Sequence, residues 1–299
     1  MSPTYSSARP KLACEIAPDR VIAGRASDSG QVLELCSTSE LAPGCVVPDL
    51  TEHNLRERNS VVRALRDALD HVGGHGSDVI AVLPDAAVRV VLIDFETLPE
   101  DRQEAESVVR FRLRKSLPFD VDKAKVSYHA QASATGLRVV AAVALNSVIE
   151  DYETAFTEAG FAPGVVLPSM LAALGAAPAD QGTLVVKVDA RTTSIAILDK
   201  QQLLLFRTLE NTRGVTISGE QLAEDVYPSV VFFQDTYSTN IDQILVAGIS
   251  DIAGASPALH AQTGAEVREL VKASQLGLGG GSIPKWRMAG VVGALLSMN

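Results

Sequence analysis

The sequence predicts an α/β chain made of two similar halves. Apolar runs of strand length alternate with stretches of helical period along most of it. The order of runs and turns at 12–35 returns at 184–206, and such an internal echo marks two like units. Composition agrees: 299 residues, 46% hydrophobic and 21% charged, suffice for about two domains with a large core and no metal or disulfide staple.

Residues 11–37 carry LACEI, APDR, VIAGRA, SDSG and QVLEL, three strands separated by turns. Residues 52–72 read as a helix. Val61, Val62, Leu65, Ala68, Leu69 and Val72 follow the 3.6 period, and Gly73 stops it. DVIAVLP and VRVVLIDF are the next two strands. TLPEDRQEAESVVRFRLRKSL is an amphipathic helix, with Thr97 and Glu100 at capping-box spacing and a stripe of Ala105, Val108, Val109 and Leu113. LPF at 117–119 ends it through the proline ring.

KVSYHAQ and LRVVAAVAL are strands. NSVIEDYETAFTEAG is a helix, with Asn146 as its cap and Gly160 as its stop. FAPGVVLPSMLAALGAA gives a strand and a helix. After the second meander comes a long helix at 218–237, capped by Ser218 and Gln221 and kinked at Pro228. A strand QILVAG, a helix near 255–263, a strand EVREL, a flexible glycine-rich loop at 276–282 and an apolar last helix complete the chain.

The net charge of −10 argues against nucleic acid, whose binders carry a basic surplus. Cys14, Cys36 and Cys45 are odd in number and lack C-x-x-C spacing, which fits reduced thiols in a cytosolic protein. MSPTYSSARPKLA has no apolar core of a secretory signal, and no run of 18 apolar residues exists. The five histidines form no ligand set, and no order of Ser, His and Asp or paired carboxylates points to catalysis. The glycine-rich stretch lacks the G-K-[ST] of a phosphate loop.

Two α/β halves that each open with such hairpins resemble the actin-like ATPase superfamily of actin, sugar kinases and FtsA. Leu83-Pro84, Leu98-Pro99-Glu100, Phe111, Leu113 and Leu117-Pro118-Phe119 narrow the likeness, and the stretch 79–175 is similar to the middle of the PilM family of type IV pilus assembly. The resemblance implies an actin-like, ribonuclease H-like fold with a first half at 1–83, a return segment at 163–182 and an inserted α/β subdomain at 84–162. The second half would span 183–299, with its own insert reduced, since 208–241 holds little more than one helix.

In that superfamily the two hairpin turns face each other and hold the phosphates of a nucleotide through backbone N–H groups. The matching residues here are Glu15, Ala17, Pro18, Asp19 and Arg20 in the first turn, and Asp189, Arg191, Thr192 and Thr193 in the second. The adenine-side glycines reduce to Ala247-Gly248. Pro18 offers no N–H, Asp19 brings negative charge, and Arg191 replaces a glycine. Arg191 pairing with phosphate, and Asp189 holding Mg²⁺ through water, are the contrary readings. The expectation is a remnant cleft that binds ATP and Mg²⁺ weakly or not at all.

The resemblance further implies an adaptor: a cytoplasmic protein recruited to the inner membrane by the tail of a PilN-like bitopic protein, within a pilus or secretion machine, possible also as a homo-oligomer. That tail would dock between the first subdomain and the inserted one. The residues add a weaker pointer, an apolar corner of Leu117, Pro118 and Phe119 beside Arg112, Leu113, Arg114 and Lys115. Phe119 as plain core is the other reading. An active ATPase or small-molecule kinase, and an FtsA-like membrane-associated filament, are the competing functions.

Overall fold

The computed structural model describes residues 9–73, 76–134, 136–178, 180–211, 216–279 and 283–296. The opening meander forms β1 (Leu12–Ala17), β2 (Arg20–Ala26) and β3 (Leu33–Glu40), paired antiparallel in sequence. Helix α1 (Arg58–Val72) follows, six residues later than the sequence pattern starts, with all six periodic residues buried. Strand β4 (Asp78–Leu83) joins β1 in parallel, and β8 (Ala162–Pro168) joins β4.

Between β4 and β8 lies the separate three-stranded sheet of β5 (Arg89–Phe95), β7 (Gly136–Leu145) and β6 (Ala124–Ser133), in the order β5-β7-β6. Helix α2 (Arg102–Leu113) covers one face through Val109 and Leu113, which pack with Val139, Ala141 and Val143. Its cap is Asp101 rather than Thr97. The Asp101 carboxylate accepts the N–H groups of Gln103 and Glu104 at 2.9 and 3.0 Å, which leaves Thr97 outside the helix. Val108 is 36% exposed, so the buried stripe is Ala105, Val109 and Leu113. In α3 (Asn146–Ala159), Asn146 is the first helical residue and makes no capping bond, while Gly160 ends the helix at φ 98°.

The second meander, β9 (Thr183–Val188), β10 (Thr192–Asp199) and β11 (Gln202–Glu210), leads through α5 (Gly219–Tyr237) to β12 (Gln243–Ala247), α6 (Ile252–Thr263) and β13 (Glu266–Glu269). The sheet order is β11-β10-β9-β12-β13. Ser218 and Gln221 form the expected capping box of α5, which runs through Pro228. The glycine-rich stretch differs from expectation. Residues Leu276–Gly279 form β14, parallel to β3 at the edge of the first sheet, because Gly277 lies close against the β3 backbone at Leu33. The rest of that stretch, 280–282, lies outside the described residues.

The layers follow from which faces are apolar. α1 and α3 cover one face of the first sheet, burying Leu65, Leu69, Tyr152 and Phe156. α4 (Ser169–Leu174) and α7 (Ala289–Leu296) lie between the two large sheets, where Met170, Val291 and Val292 meet Ile80 from one and Val185 from the other. α5 and α6 close the far side with Leu222, Val226, Phe233 and Leu259. Among the described residues, no helix is long and apolar enough to cross a membrane.

Candidate functional site

The two meander turns face each other at the centre of the molecule. In the second, the carboxylate of Asp189 turns back on its own loop. It accepts the N–H groups of Arg191 and Thr192, both at 2.7 Å, and the Thr192 hydroxyl at 2.8 Å. An aspartate that closes its own turn in this way withdraws those N–H groups from any phosphate. Arg191 needs no left-handed backbone, since among the described residues the positive-φ ones other than glycine are Lys200, Gln201 and Ser238. Its side chain is exposed and faces Asp49 across a groove. Thr193 is buried, with no partner for its hydroxyl.

In the first turn Arg20 pairs with Asp19 at 2.6 Å. Gly248 sits at φ 87°, and a Cβ there would lie 1.7 Å from the Val188 carbonyl oxygen. Close approach of two strand ends therefore fixes this glycine. Its N–H donates to the Trp286 carbonyl at 2.8 Å.

Between the turns lies a buried charge cluster in which Glu15 and Asp189 meet Lys187 and Asp85, residues that no motif marks. Lys187 on β9 reaches across to Glu15 on β1 at 3.1 Å, with side chains 9% and 6% exposed. The Ser169 hydroxyl donates to the same Glu15 oxygen, and Glu15 Oε2 has no partner. Below them the Asp85 carboxylate accepts the Met170 N–H and the Ser194 hydroxyl, each at 2.8 Å. Burial raises Asp85 to about 6, against the attraction of Lys187. Burial alone would lower the Lys187 ammonium, but Glu15, Asp85 and Asp189 outweigh it and hold it above its usual value. The sequence carried one signal for this cluster, a lysine inside the apolar run LVVKV.

The space left between the turns, walled by Lys187, Arg20 and Trp286, is about 10 Å³. That is room for a single water. In the second turn the N–H groups of Arg191 and Thr192 are already taken by Asp189, and the buried Lys187–Glu15 pair lies between the two halves.

The residues expected to bind a partner do not form one surface. Leu113 is fully buried in the inserted subdomain, and Leu117 and Phe119 pack against its core. Arg112 stacks over Phe95, 5.4 Å from the ring centre, and Arg114 pairs with Asp122 at 3.1 Å. Pro118 is exposed and lines a different groove, which Arg191 also lines.

The expected seam between the first subdomain and the inserted one is a groove of about 750 Å³. Its two banks are edge strands, β6 of the inserted sheet and β8 of the first sheet. Ala142, Ile149, Pro163 and Val166 give it an apolar lining, and the Lys125–Glu153 pair, at 2.9 Å, links β6 to α3 along it. No sequence pattern marks this groove, since its lining comes from β6, β7, α3 and β8.

No family model matches the chain, and no curated protein matches it by sequence. Solved structures do. The chain is similar to a structure of the PilM–PilN type IV pilus biogenesis complex, at a TM-score of 0.78 and 18% identity, covering 97% of this chain and 98% of that one. It is also similar to the cytoplasmic domain of EpsL, an inner membrane component of the type II secretion system of Vibrio cholerae, at a TM-score of 0.51, 10% identity and 79% and 80% coverage. A third similarity is to the ethanolamine utilization protein EutJ from Carboxydothermus hydrogenoformans, at a TM-score of 0.51 and 10% identity, covering 98% and 92%. The chain has the actin-like fold, in the form it shares with PilM.

Proposed function

We propose that this chain is a PilM-like adaptor of a pilus or secretion machine, which holds the cytoplasmic tail of a PilN-like bitopic protein and carries out no nucleotide chemistry. The groove between β6 and β8 carries the reading, in a chain whose fold matches that of PilM solved with PilN. Two strand edges bank an apolar trough, an arrangement that takes an extended peptide by adding a strand to an edge, with alternate side chains entering the floor. The closed ion pair of Lys187 and Glu15 supports the second part of the reading, since it holds the halves together where the superfamily holds phosphate. Recruitment to the cytoplasmic face of the inner membrane would then come through that tail.

Gly164 tests it. It lines the groove, and a Cβ added there meets nothing within 4 Å. Gly164→Trp should fill the trough, leave the melting temperature unchanged, and weaken capture of the tail peptide by about tenfold or more. A wild-type chain that retains no bitopic-protein tail, or a Gly164→Trp variant that binds as the wild type does, refutes the docking site. Submillimolar binding of Mg·ATP by calorimetry refutes the second part.

A further inference from the structure

Two helix faces leave large apolar side chains uncovered. On α2, Phe111 is 65% exposed and Val108 lies exposed beside it; on α5, Tyr227 and Phe232 are exposed. The two faces differ in charge. Helix α5 carries Glu220, Glu224, Asp225 and Asp235 and no lysine or arginine, so it repels another like itself. The α2 face carries both signs. We infer that α2 is the seam of a symmetric dimer, in which two copies of this chain pack it antiparallel.

Three observations carry it. The first is the order of side chains. Glu104, Val108, Phe111 and Lys115 recur at helical spacing along α2 and the turn that extends it, and all four are exposed. That face reads acid, apolar, apolar, base. Turned end for end it reads base, apolar, apolar, acid, which is its own complement. A second copy laid antiparallel therefore sets Glu104 against Lys115 twice and Val108 against Phe111 twice. A twofold interface requires this reciprocity, since residue i meets j wherever j meets i.

The second is that the charges this register uses are free. Arg110 pairs with Glu106 at 2.8 Å, Arg114 pairs with Asp122 at 3.1 Å, and Arg112 stacks over Phe95. Glu104 and Lys115 have no ion-pair partner among the described residues. The third is that the face can close against another helix. Ser107 beside it is small, and its hydroxyl already donates to the Gln103 carbonyl at 2.9 Å, so burial strands no donor. Val109 and Leu113 hold α2 on the inserted sheet from behind, which sets the face before any partner arrives.

Other occupants satisfy only part of the face. An anionic lipid surface would attract Lys115 and repel Glu104 beside it. A peptide of one sign would suit one end and oppose the other. The seam also leaves the tail groove open, because alternate residues of β7 face opposite ways: Val139, Ala141 and Val143 meet α2, while Ala142 and Ala144 line the groove. With 12 residues, α2 is about 18 Å long. One such helix pair buries less than the ~1,600 Å² of a standard complex, so the dimer should be half formed only at about 10–100 μM.

The test is sedimentation equilibrium of the full chain up to about 500 μM. A monomer–dimer equilibrium should appear, and added salt should weaken it. Phe111→Ser should weaken it about tenfold or more with unchanged melting, since that side chain is exposed. Glu104→Lys and Lys115→Glu should each weaken it about tenfold, because the twofold axis turns two attractions into two repulsions at once. The two single variants, mixed, should dimerise better than either alone. The double variant, Glu104→Lys with Lys115→Glu, should regain the affinity of the wild type. Phe232→Ser and Gly164→Trp should change nothing, which separates the seam from the α5 face and from the tail groove. A chain still monomeric at about 500 μM, single variants that gain nothing on mixing, or a double variant no tighter than the singles overturns the inference. So does assembly that grows past the dimer or depends on Phe232, or Phe111-dependent binding of the monomer to anionic vesicles.

Discussion

Replacing Lys187 by methionine should destabilise the chain as a whole rather than one half of it. Lys187 is on β9 and Glu15 on β1, so their 3.1 Å contact ties the two halves together. At that separation, with an effective dielectric of ~20, the attraction is about 5 kcal/mol. Much of this offsets the desolvation of two ions, so the intact pair adds little net stability. Loss of one partner is another matter. Methionine would leave Glu15 and Asp85 buried without their cation, and Glu15 Oε2 already lacks a partner. The expected cost is about 3–5 kcal/mol. Adding Glu15→Gln removes the stranded charge and should restore about 2 kcal/mol or more. Urea unfolding followed by circular dichroism and by the fluorescence of Trp286, the single tryptophan and a wall of the cleft, reads both. A Lys187→Met variant within about 1 kcal/mol of wild type, or a double variant no better than the single, would refute the reasoning.

Asp85 should make stability fall as pH rises. Its folded value of about 6 lies above the ordinary 3.8, so its contribution is full below pH 3.8 and lost as pH rises through 6. The change is about 3 kcal/mol, and urea midpoints of wild type and Asp85→Asn should diverge by that amount between acid and neutral pH; parallel profiles would contradict it. Gly248→Ala should cost about 4 kcal/mol or more in a thermal melt, because its Cβ would meet the Val188 oxygen at 1.7 Å. A loss near zero would mean the strand ends part easily. Asp101→Ala should cost about 1 kcal/mol and Thr97→Ala about none, since Asp101 alone caps α2; the reverse order would return the cap to Thr97.

Periodicity and turn residues sufficed for the elements, because a helix stripe or strand run is a local property. Val61 through Val72 and Ser218 with Gln221 are cases where a short window carries the whole cause. The echo of the two meanders also survives in sequence as the same order of strands and turns, although the turns differ in length, 18–19 and 27–32 in the first against 189–191 and 200–201 in the second. Local reading failed where two signals competed at short range. Thr97 and Asp101 both suit a cap, and only the helix start decides between them. The glycines at 276–279 suit a loop until β3 offers an edge to pair with.

The sequence by itself determined the alternation of strands and helices and the echoed meanders of the α/β architecture, which are matters of residue order and backbone chemistry; the inserted unit and the arginine in place of a glycine in the second turn came from the resemblance to the PilM family and the actin-like superfamily. The tertiary structure alone decided what fills the cleft and where the grooves run. Lys187 meets Glu15, Asp85 meets Ser194, and β5 meets β11 only when segments more than a hundred residues apart come together. A buried charge is tolerable only beside its partner, and a groove is defined by the gap between two sheets. Neither condition leaves a local trace in the chain.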